Sequence, residues 1–438
     1  MNDQIEPVER VIGLDAHPDS FTAAIVRGPT PAAALVEKTF HKLPIGQLES
    51  WAKKNTTAKD QIVLEASGNS FHLARCLMAA ERKVKVLESC QMGKLKEAHA
   101  NNDKISAIRI AKAYLAGTAK EVWLPDAKTQ ERRDLFHAHR KAVKRTTQMS
   151  ARLRSYLSDN GVRLKKHTPL TQSGPAEQQI RPARQWTPRQ WQVIEGLLLE
   201  LRHADQQRQH WRSLIAQDVL ADAQLLSLVR LCGIREMVAF ALGAFIGDIN
   251  RFAHPKKLVK YVGLNPAFDD SGDGTWSGGI GGHGNKYLRC LLIEAAQSIL
   301  RSKTVLTKWG RRLLARKGCL NLAVAAVARK LTVAVWYLLM GHWTPLARID
   351  GQLCVKVGKI IGHVGQSSLN QLGQTRKSLR EQAYHLLNSL SAASVPASSE
   401  PTPKTDKVPV ATVLLLGPPK QFTPRPKASS LATEYGLR

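Results

Sequence analysis

Short apolar runs alternate with amphipathic stretches along the first hundred residues of the chain. β-branched, apolar runs predict strands at 8–14, 21–26, 34–40, 61–64 and 84–87, and apolar spacings typical of helices predict helices at 48–52, 71–80 and 105–115. Three early strands followed by strand–helix–strand units predict a mixed sheet with helices on its faces. We interpret residues 6–126 as an α/β domain.

The hydrophobic period changes after this domain. Between Thr129 and Leu157, apolar residues recur every seventh position, with Arg and Lys between them. This pattern predicts a long basic helix, coiled-coil-like, that ends at Gly161. Thr187-Pro188 is an N-cap followed by a first-turn proline, and it predicts a second helix that reaches about Ile215. We interpret residues 127–220 as an antiparallel helical arm, with 163–186 as its loop.

The rest of the chain is predicted to be mainly helical. Residues 221–345 form a helical domain with one glycine-rich loop, Gly263–Gly284. Residues 346–390 form a C-terminal extension with strand character at Gly351–Gly365 and one helix over Leu369–Leu390. Residues 391–438, which are rich in Pro, Ser, Lys and Thr, are predicted to be a flexible tail. The predicted fold class is therefore α/β plus all-α.

Charge narrows the possible partners. The 438 residues include 64 Lys and Arg against 35 Asp and Glu, a formal net charge of +29. Such an excess favours a polyanion, and nucleic acid is favoured over an anionic membrane surface or the ribosome. The most apolar stretch, Leu320–Met340, contains Arg329 and Lys330 and is predicted to be a buried helix. The polar N-terminus and the six scattered cysteines predict a cytoplasmic, nucleoid-associated protein without a membrane partner.

Three carboxylates stand where secondary-structure elements begin or end. Asp15 and Glu65 end predicted strands, and Asp103 begins a predicted helix. Carboxylates that converge at a sheet edge can hold divalent cations such as Mg²⁺, which support phosphodiester chemistry. Taken alone, each of these residues is more often a turn or cap residue.

The motifs around these acids occur in a recognisable order. Val-Ile-Gly-Leu-Asp15-Ala-His, Val-Leu-Glu65-Ala-Ser-Gly-Asn and Asn-Asn-Asp103-Lys-Ile-Ser resemble the RuvC-like domain of the insertion-sequence 110 family of DEDD transposases, relatives of the Piv DNA invertase. The resemblance implies an RNase H-like fold and a four-acid site for Mg²⁺ (or Mn²⁺). Three of the acids correspond to Asp15, Glu65 and Asp103. The fourth position is Ser106, which carries no negative charge.

A second block of motifs lies in the helical domain. The segment from Tyr261 to Gly274 contains Ser271 in a glycine-rich stretch, and a flexible turn is its simplest interpretation. Leu231-Cys-Gly-Ile resembles a helix-hairpin-helix-like opening of the same family, and Ile246-Gly-Asp-Ile-Asn-Arg, Tyr261-Val-Gly-Leu-Asn-Pro and Gly284-Asn285 resemble its later blocks. The family's catalytic serine corresponds to Ser271. Two positions depart from the family pattern: Gly282 replaces a basic residue, and Arg235 replaces the second glycine of the hairpin.

The resemblance also implies partners. Ser271 would attack a phosphodiester and hold the DNA strand covalently, while the carboxylates of a partner subunit supply the metals, so a homo-oligomer (dimer or tetramer) is expected. Donor and target DNA would be selected by a structured bridge RNA. Candidate nucleic-acid contacts are Lys286 and Arg289 at the start of a predicted helix, and Arg140, Lys144 and Arg152 on the arm. Solvated faces on a helical hairpin are the alternative interpretation of the arm.

Other functions remain open at the level of sequence. Ser106 favours a catalytically impaired, nucleic-acid-binding descendant. A metal-dependent nuclease or junction resolvase that does not use Ser271 is a further alternative. An actin-like ATPase is disfavoured because Ala16-His17-Pro18 does not provide the glycine-rich phosphate loop that such a fold needs.

Overall fold

A computed structural model describes residues 10–89, 103–271, 274–342 and 350–393. The chain divides into two compact units, Met1–Pro125 and Asp126–Arg438. We call them unit 1 and unit 2. The finer division into arm, helical domain, extension and tail stays a prediction.

Unit 1 contains a six-stranded mixed sheet. Its strands are β1 (Arg10–Ala16), β2 (Ser20–Arg27), β3 (Leu35–Pro44), β4 (Gln61–Glu65), β5 (Lys83–Leu87) and β6 (Glu121–Val122), in the spatial order β3-β2-β1-β4-β5-β6. β1 pairs antiparallel with β2 and parallel with β4, and β5 continues the parallel part. The mixed sheet that the sequence predicts is present, and it is consistent with an RNase H-like fold.

Helices cover both faces of this sheet. They are α1 (Leu48–Asn55), α2 (Ser70–Ala79) and α3 (Asp103–Leu115). Trp51 of α1 and Leu73 of α2 pack with the apolar residues of one sheet face. Ile110 and Ala111 of α3 pack with Val63 and the other residues of the opposite face. The sheet is therefore buried on both sides, which is the usual arrangement where strands run parallel.

Unit 2 is mainly helical. Its helices are α4 (Ala127–Asp159), α5 (Pro175–Ala183), α6 (Pro188–Ala221), α7 (Ala223–Leu228), α8 (Glu236–Ile246), α9 (Pro255–Val262), α10 (Lys286–Leu300), α11 (Val305–Lys317), α12 (Leu320–Leu339), α13 (Asp350–Val364), α14 (Gln366–Gln371) and α15 (Arg376–Ala393). Two strands, β7 (Pro266–Ser271) and β8 (Gly274–Ile280), pair antiparallel between α9 and α10.

The two longest helices pair with each other. Asp126 caps α4 by accepting a hydrogen bond from the Thr129 amide, and Thr187 caps α6 through the Gln190 amide. Met149 near the end of α4 packs with Leu198 near the start of α6, so the two helices run antiparallel. Whether this pair acts as a coiled-coil arm stays a prediction.

Several sequence-based element predictions for unit 2 were wrong. Gly351–Gly365 forms helix α13 instead of a strand, because its apolar residues Val357, Ile360, Ile361 and Val364 have helical spacing and are buried in the core. The predicted loop after α4 contains α5, and the single helix predicted over 369–390 is two helices, α14 and α15. Most of the predicted tail, residues 394–438, lies outside the described residues.

Within the described part of the chain, one helix is long and apolar enough to cross a membrane, the predicted buried helix α12. Half of its most apolar window is buried inside the unit, where Val324, Val327, Leu331 and Val335 contribute to the core. That burial is typical of a core helix in a globular unit.

Candidate functional site

The ends of two neighbouring parallel strands bring two acids together. Leu14 of β1 pairs in register with Leu64 of β4, and Asp15 and Glu65 each follow one residue later. Neighbouring strands lie about 4.8 Å apart, so these residues occupy adjacent positions at one edge of the sheet. Side chains alternate between faces, and Val63 packs against α3, so Glu65 lies on the face that α3 covers.

Gly13 sets the distance between this strand and α3. A Cβ atom at Gly13 would lie 1.9 Å from the carbonyl oxygen of Ala107, far inside van der Waals contact. Glycine at this position therefore lets α3 pack directly on β1. Asp15, two residues along the same strand, faces the same side as Gly13 and points toward the first turn of α3, which begins at Asp103.

Asp15, His17 and Asp103 form a compact cluster. Ligand atoms of the three side chains all lie within 4.8 Å of one another. His17 Nε2 lies 3.8 Å from Asp15 Oδ2 and 3.4 Å from Asp103 Oδ1. The loop that carries His17 is held by a hydrogen bond of 2.7 Å that the Asn69 side chain donates to the His17 carbonyl.

The chemistry of this cluster suits a divalent cation. His17 Nε2 is shielded from solvent and forms no hydrogen bond within the described residues, although it faces two carboxylates. A buried imidazole nitrogen without a partner is costly unless a cation or a proton occupies the space before it. Two carboxylates and one imidazole are a donor set that binds divalent metals, and Mn²⁺ accepts the nitrogen more readily than Mg²⁺ does.

Ser106 stands at the position where the sequence resemblance predicts a fourth acid. It lies one turn after Asp103 on α3, on the same side of the helix, and it is half-buried. A serine there offers a neutral hydroxyl, so the negative charge of this site comes from Asp15, Glu65 and Asp103.

The segment of Ser271 is a β-hairpin, so the predicted glycine-rich loop between helices was wrong. β7 ends at Ser271, which pairs with Gly274 of β8 at the tip of the hairpin. Strand pairing in this segment satisfies backbone groups that an open loop would leave to water. The Ser271 side chain and residues 272–273 lie outside the described residues.

Two glycines close the base of this hairpin. Gly263 and Gly284 have φ angles of 80° and 92°, and a Cβ atom on Gly284 would lie 2.6 Å from the Gly263 nitrogen. The Asn285 amide then donates a 2.8 Å hydrogen bond to the Tyr261 carbonyl. Only residues without a side chain allow this approach, so the base of the hairpin is fixed next to the start of α10.

Two of the predicted nucleic-acid contacts meet at one aromatic ring in unit 2. Arg140 of α4 and Lys286 of α10 lie 4.6 and 5.4 Å from the centroid of the Tyr287 ring. Tyr287 stacks on Phe245, and His137 lies edge-on to Tyr287. Burial, with the nearby Arg140 and Arg133, lowers the pKa of His137, although Asp134 opposes the shift. The exposed charge of this cluster therefore comes from Arg140 and Lys286.

The other three predicted nucleic-acid contacts differ in whether their side chains bind the protein itself. Arg289 donates a 2.6 Å hydrogen bond to the His283 carbonyl, so part of its guanidinium holds the base of the hairpin. Lys144 and Arg152 project from α4 and are exposed. Lys144 and Arg152 form no ion pair within the described residues.

Sequence reasoning missed two residues of these sites. His17 belongs to the sequence motif of Asp15 but was given no role there, although its position two residues after Asp15 was a usable signal. Tyr287 had no signal in the sequence, because its ring is placed by Phe136, Phe245 and Arg140, which come from distant segments.

Comparison with known proteins identifies both parts of this arrangement. Residues 12–160 match the model of the DEDD transposases of IS110 elements, described as "Transposase". Residues 226–309 match the model described as "Transposase IS116/IS110/IS902 family". The first match spans the three acids and the second spans the Ser271 hairpin.

Individual relatives agree with these matches. The transposase for insertion sequence element IS1111A from Coxiella burnetii is 26% identical over 289 residues, which is 64% of this chain and 77% of that protein. Transposase y4qE from Sinorhizobium fredii is 26% identical over 261 residues, 56% of this chain and 60% of that protein. A family 20 transposase from Pseudomonas aeruginosa is 32% identical over 145 residues, 32% of this chain and 41% of that protein.

A DEDD-type transposase domain implies DNA cutting and the use of a divalent metal. The cluster at Asp15 provides ligands for such an ion. The chain therefore belongs to the IS116/IS110/IS902 family of insertion-sequence transposases.

Proposed function

We propose that this protein is a transposase of the recombinase type that cuts and rejoins DNA through Ser271, with divalent metal held by Asp15, Glu65 and Asp103. The observation that carries the proposal is the convergence of acids at one edge of the unit 1 sheet. Asp15 and Glu65 follow a register pair of two parallel strands, and Asp103 lies with Asp15 around His17. Acids from three separate segments of unit 1 are thus brought to one edge of the sheet.

Each residue of this edge has a separate task in the proposal. Asp15, Asp103 and Glu65 supply carboxylate oxygens, His17 supplies an imidazole nitrogen, and Ser106 supplies a hydroxyl one helical turn from Asp103. Mg²⁺ or Mn²⁺ bound there would polarise a phosphodiester and stabilise the developing negative charge. Asn69 keeps the His17 loop in place through the His17 carbonyl.

Ser271 is the proposed nucleophile. Its oxygen forms a bond to phosphorus while one bridging phosphorus–oxygen bond of the DNA strand breaks. The serine gives up its proton, and the departing sugar oxygen takes up a proton. The phosphate remains a diester, so the energy of the broken bond is kept for rejoining to a second strand. Support for this role comes from the position of Ser271 at the tip of a hairpin whose base is fixed by Gly263 and Gly284.

The proposal includes nucleic-acid partners and self-association. Arg140, Lys286, Lys144 and Arg152 would bind phosphates of donor and target DNA, and a bridge RNA would select the sequence by base pairing. Support comes from the shared location of Arg140 and Lys286 at Tyr287 and from the net charge of +29. The carboxylates and Ser271 would act together in a homo-oligomer.

A cleavage assay with the purified protein tests the chemistry. The protein is incubated with Mg²⁺ or Mn²⁺, RNA from the flank of its element and DNA that joins element to target, and a denaturing gel then reports covalent protein–DNA adduct. We expect an adduct that is lost in both Ser271→Ala and Asp15→Ala. Cleavage that survives in Ser271→Ala would identify a metal-dependent nuclease or junction resolvase instead.

A mixing experiment tests self-association. Neither Ser271→Ala nor Asp15→Ala should form adduct alone. If one subunit supplies the serine and another the carboxylates, mixing the two inactive variants restores part of the activity. Failure of every ratio to restore activity, with the unaltered protein active, contradicts shared sites.

A catalytically impaired, DNA-binding descendant is the second candidate function, and Ser106 is the observation that favours it. It predicts tight DNA binding without adduct in the unaltered protein for every divalent metal. Adduct formation that appears in Ser106→Asp would then assign the defect to the missing fourth acid.

A further inference from the structure

A second basic surface lies on the helical hairpin formed by α11 and α12. Between Ala295 and Ile349 the chain contains no Asp or Glu, while Arg and Lys are frequent. Exposed cations of this stretch include Lys308, Arg311, Arg312 and Arg316 on α11 and Lys330 on α12. We call these five residues the α11 basic face.

The cations of α11 share one side of the helix. At 100° per residue, Lys308, Arg311, Arg312 and Arg316 fall within an arc of about 140°. Leu306 and Gly310 lie on the opposite, buried side, and a Cβ atom on Gly310 would meet Leu300 at 2.6 Å and Val327 at 2.7 Å. α11 is thus packed tightly against α10 and α12, and its orientation leaves the charged arc toward solvent.

The helix is also held firmly at both ends. Thr304 accepts a hydrogen bond from the Thr307 amide at the start, and Gly318 ends the helix with a φ of 65°. The Arg311 Nε donates a 3.2 Å hydrogen bond to the Leu300 carbonyl. The charged arc is therefore preorganised before any partner binds, which lowers the entropy cost of binding.

The charges of this face are not neutralised within the protein. No residue of the α11 basic face forms an ion pair in the described part of the chain. Lys308–Arg312 and Arg312–Arg316 are like-charge pairs at a spacing of four residues, and each such pair destabilises a helix by about 0.2–0.5 kcal/mol. A polyanion along the helix would relieve this repulsion.

We propose that the α11 basic face binds the phosphate backbone of duplex DNA, independently of base sequence; the choice of DNA rests on the proposed function. From Lys308 to Arg316 the helix rises about 12 Å, which corresponds to three or four nucleotides of one DNA strand at about 3.4 Å each. The charged groups of this face can thus reach several consecutive phosphates.

The one aromatic ring of α11 is covered, which favours a duplex over unpaired bases as the partner of this helix. Trp309 is the aromatic residue of α11, and the Lys330 ammonium covers its ring at 4.7 Å from the centroid. Proteins that grip single strands add aromatic side chains on which bases stack. The α11 basic face instead offers charge alone, which is what contacts to a regular backbone require.

Equilibrium binding of the full-length protein to a 30-base-pair duplex of arbitrary sequence tests the proposal. Binding is measured in EDTA at several salt concentrations for the unaltered protein and for the triple variant Lys308→Gln, Arg312→Gln, Arg316→Gln. We expect the slope of log affinity against log salt to fall by about 3 and the affinity at 0.15 M salt to fall at least about tenfold. The thermal midpoint should stay unchanged or rise, because like-charge pairs are removed.

A matched control distinguishes the loss of local phosphate contacts from the loss of net positive charge. Lys53→Gln, Lys54→Gln, Lys59→Gln removes three exposed charges from unit 1 and should leave the slope nearly unchanged. The charge-keeping variant Lys308→Arg, Arg312→Lys, Arg316→Lys should restore most of the binding. Equal losses in both glutamine variants, or no loss in the α11 variant, would overturn the proposal.

Binding of the same variants to a structured RNA tests whether the partner is DNA. If the α11 variant loses affinity for an RNA hairpin but keeps its affinity for duplex DNA, the assignment to DNA is wrong. Because the measurement involves no strand cutting, failure of Ser271 to form an adduct leaves its result unchanged.

Discussion

The carboxylate edge of unit 1, which carries Asp15, Glu65 and Asp103, differs from the polar interior of unit 2 in the groups that surround its charges. At the edge of unit 1, two carboxylates and one imidazole, those of Asp15, Asp103 and His17, have ligand atoms within 4.8 Å of one another. In unit 2, several buried or half-buried charges have partners of opposite sign within the chain. Arg132 forms hydrogen bonds of 2.7 Å to both Asp218 and Asp222, and the buried Glu236 pairs with Arg212 and His363.

Lys356, a cation of unit 2 with no acidic partner among its hydrogen bonds to described residues, is bound by backbone carbonyls. The Lys356 ammonium donates hydrogen bonds of 2.7, 2.8 and 3.0 Å to the carbonyls of Val229, Leu231 and Ile234. Burial lowers the pKa of Lys356 to about 8. This single residue ties α13 to the loop between α7 and α8, so the predicted C-terminal extension contributes to the core of unit 2.

This difference distinguishes charges that stabilise the fold from charges that are available to bind a ligand. Where partners come from the chain itself, as at Arg132, the charges hold helices together. Where two carboxylates lie within 4.8 Å of each other, as Asp15 and Asp103 do, or cations gather along one side of a helix, as on the α11 basic face, we expect a ligand to supply balancing charge. Substitutions in both units test this distinction, and their expected energetic effects decrease from Gly13→Ala to His17→Ala.

Gly13→Ala should break the geometry of the carboxylate edge. The new methyl group would meet the Ala107 carbonyl, so α3 has to move away from β1 and carry Asp103 with it. We expect the free energy of unfolding to fall by about 3 kcal/mol and Mn²⁺ binding to be lost. Gly46→Ala, where a Cβ meets no atom within 4 Å, is the control and should change neither quantity.

Arg132→Met should show that the paired charges of unit 2 are structural. The substitution leaves Asp218 and Asp222 without their guanidinium, and hydrogen bonds from Arg132 normally keep the pKa of Asp222 low against the opposing effect of burial. Chemical denaturation should show a loss of about 2–3 kcal/mol. Arg145→Met removes an exposed pair with Glu200 on the same two helices, and it should cost less than about 1 kcal/mol. Equal losses in the two variants would contradict the distinction.

His139 should make the stability of unit 2 depend on pH. Burial, with Arg212 and Arg208 nearby, lowers the pKa of His139 to about 4, while Glu236 opposes the shift. Because the folded pKa is below the unfolded value of about 6.5, the stabilisation is complete above pH 6.5 and is lost as pH falls through 4. After allowance for solvent screening we expect a loss of about 2 kcal/mol. The difference between the unaltered protein and His139→Gln across this range isolates that loss, and parallel curves would refute it.

His17→Ala should weaken metal binding without unfolding the protein. Loss of one imidazole ligand should raise the dissociation constant for Mn²⁺ about tenfold, about 1.4 kcal/mol, with a smaller effect on Mg²⁺. Titration calorimetry measures both ions, and His41→Ala, an exposed histidine of β3, is the control. Unchanged Mn²⁺ affinity in His17→Ala would remove His17 from the metal site.

Local pattern predicted much of unit 1. Alternation and β-branched content placed β1, β2, β4 and β5 within about two residues of their observed limits, because each strand is a short apolar run between turns. The same reasoning was wrong at Gly351–Gly365, where valine and isoleucine suggested a strand. That segment is helical because its apolar side chains have helical spacing and meet a core built from distant helices.

Residue types and their order were enough to predict the kinds of chemistry in this chain: a large positive charge, three acids at element boundaries, and motif blocks of a transposase family. Which of these groups meet depends on how the elements pack. Strand register placed Glu65 beside Asp15, the missing side chain of Gly13 let α3 bring Asp103 to His17, and packing of α11 turned its cations outward. Distances between residues far apart in the chain follow from helix and strand packing, and a one-dimensional pattern does not encode them.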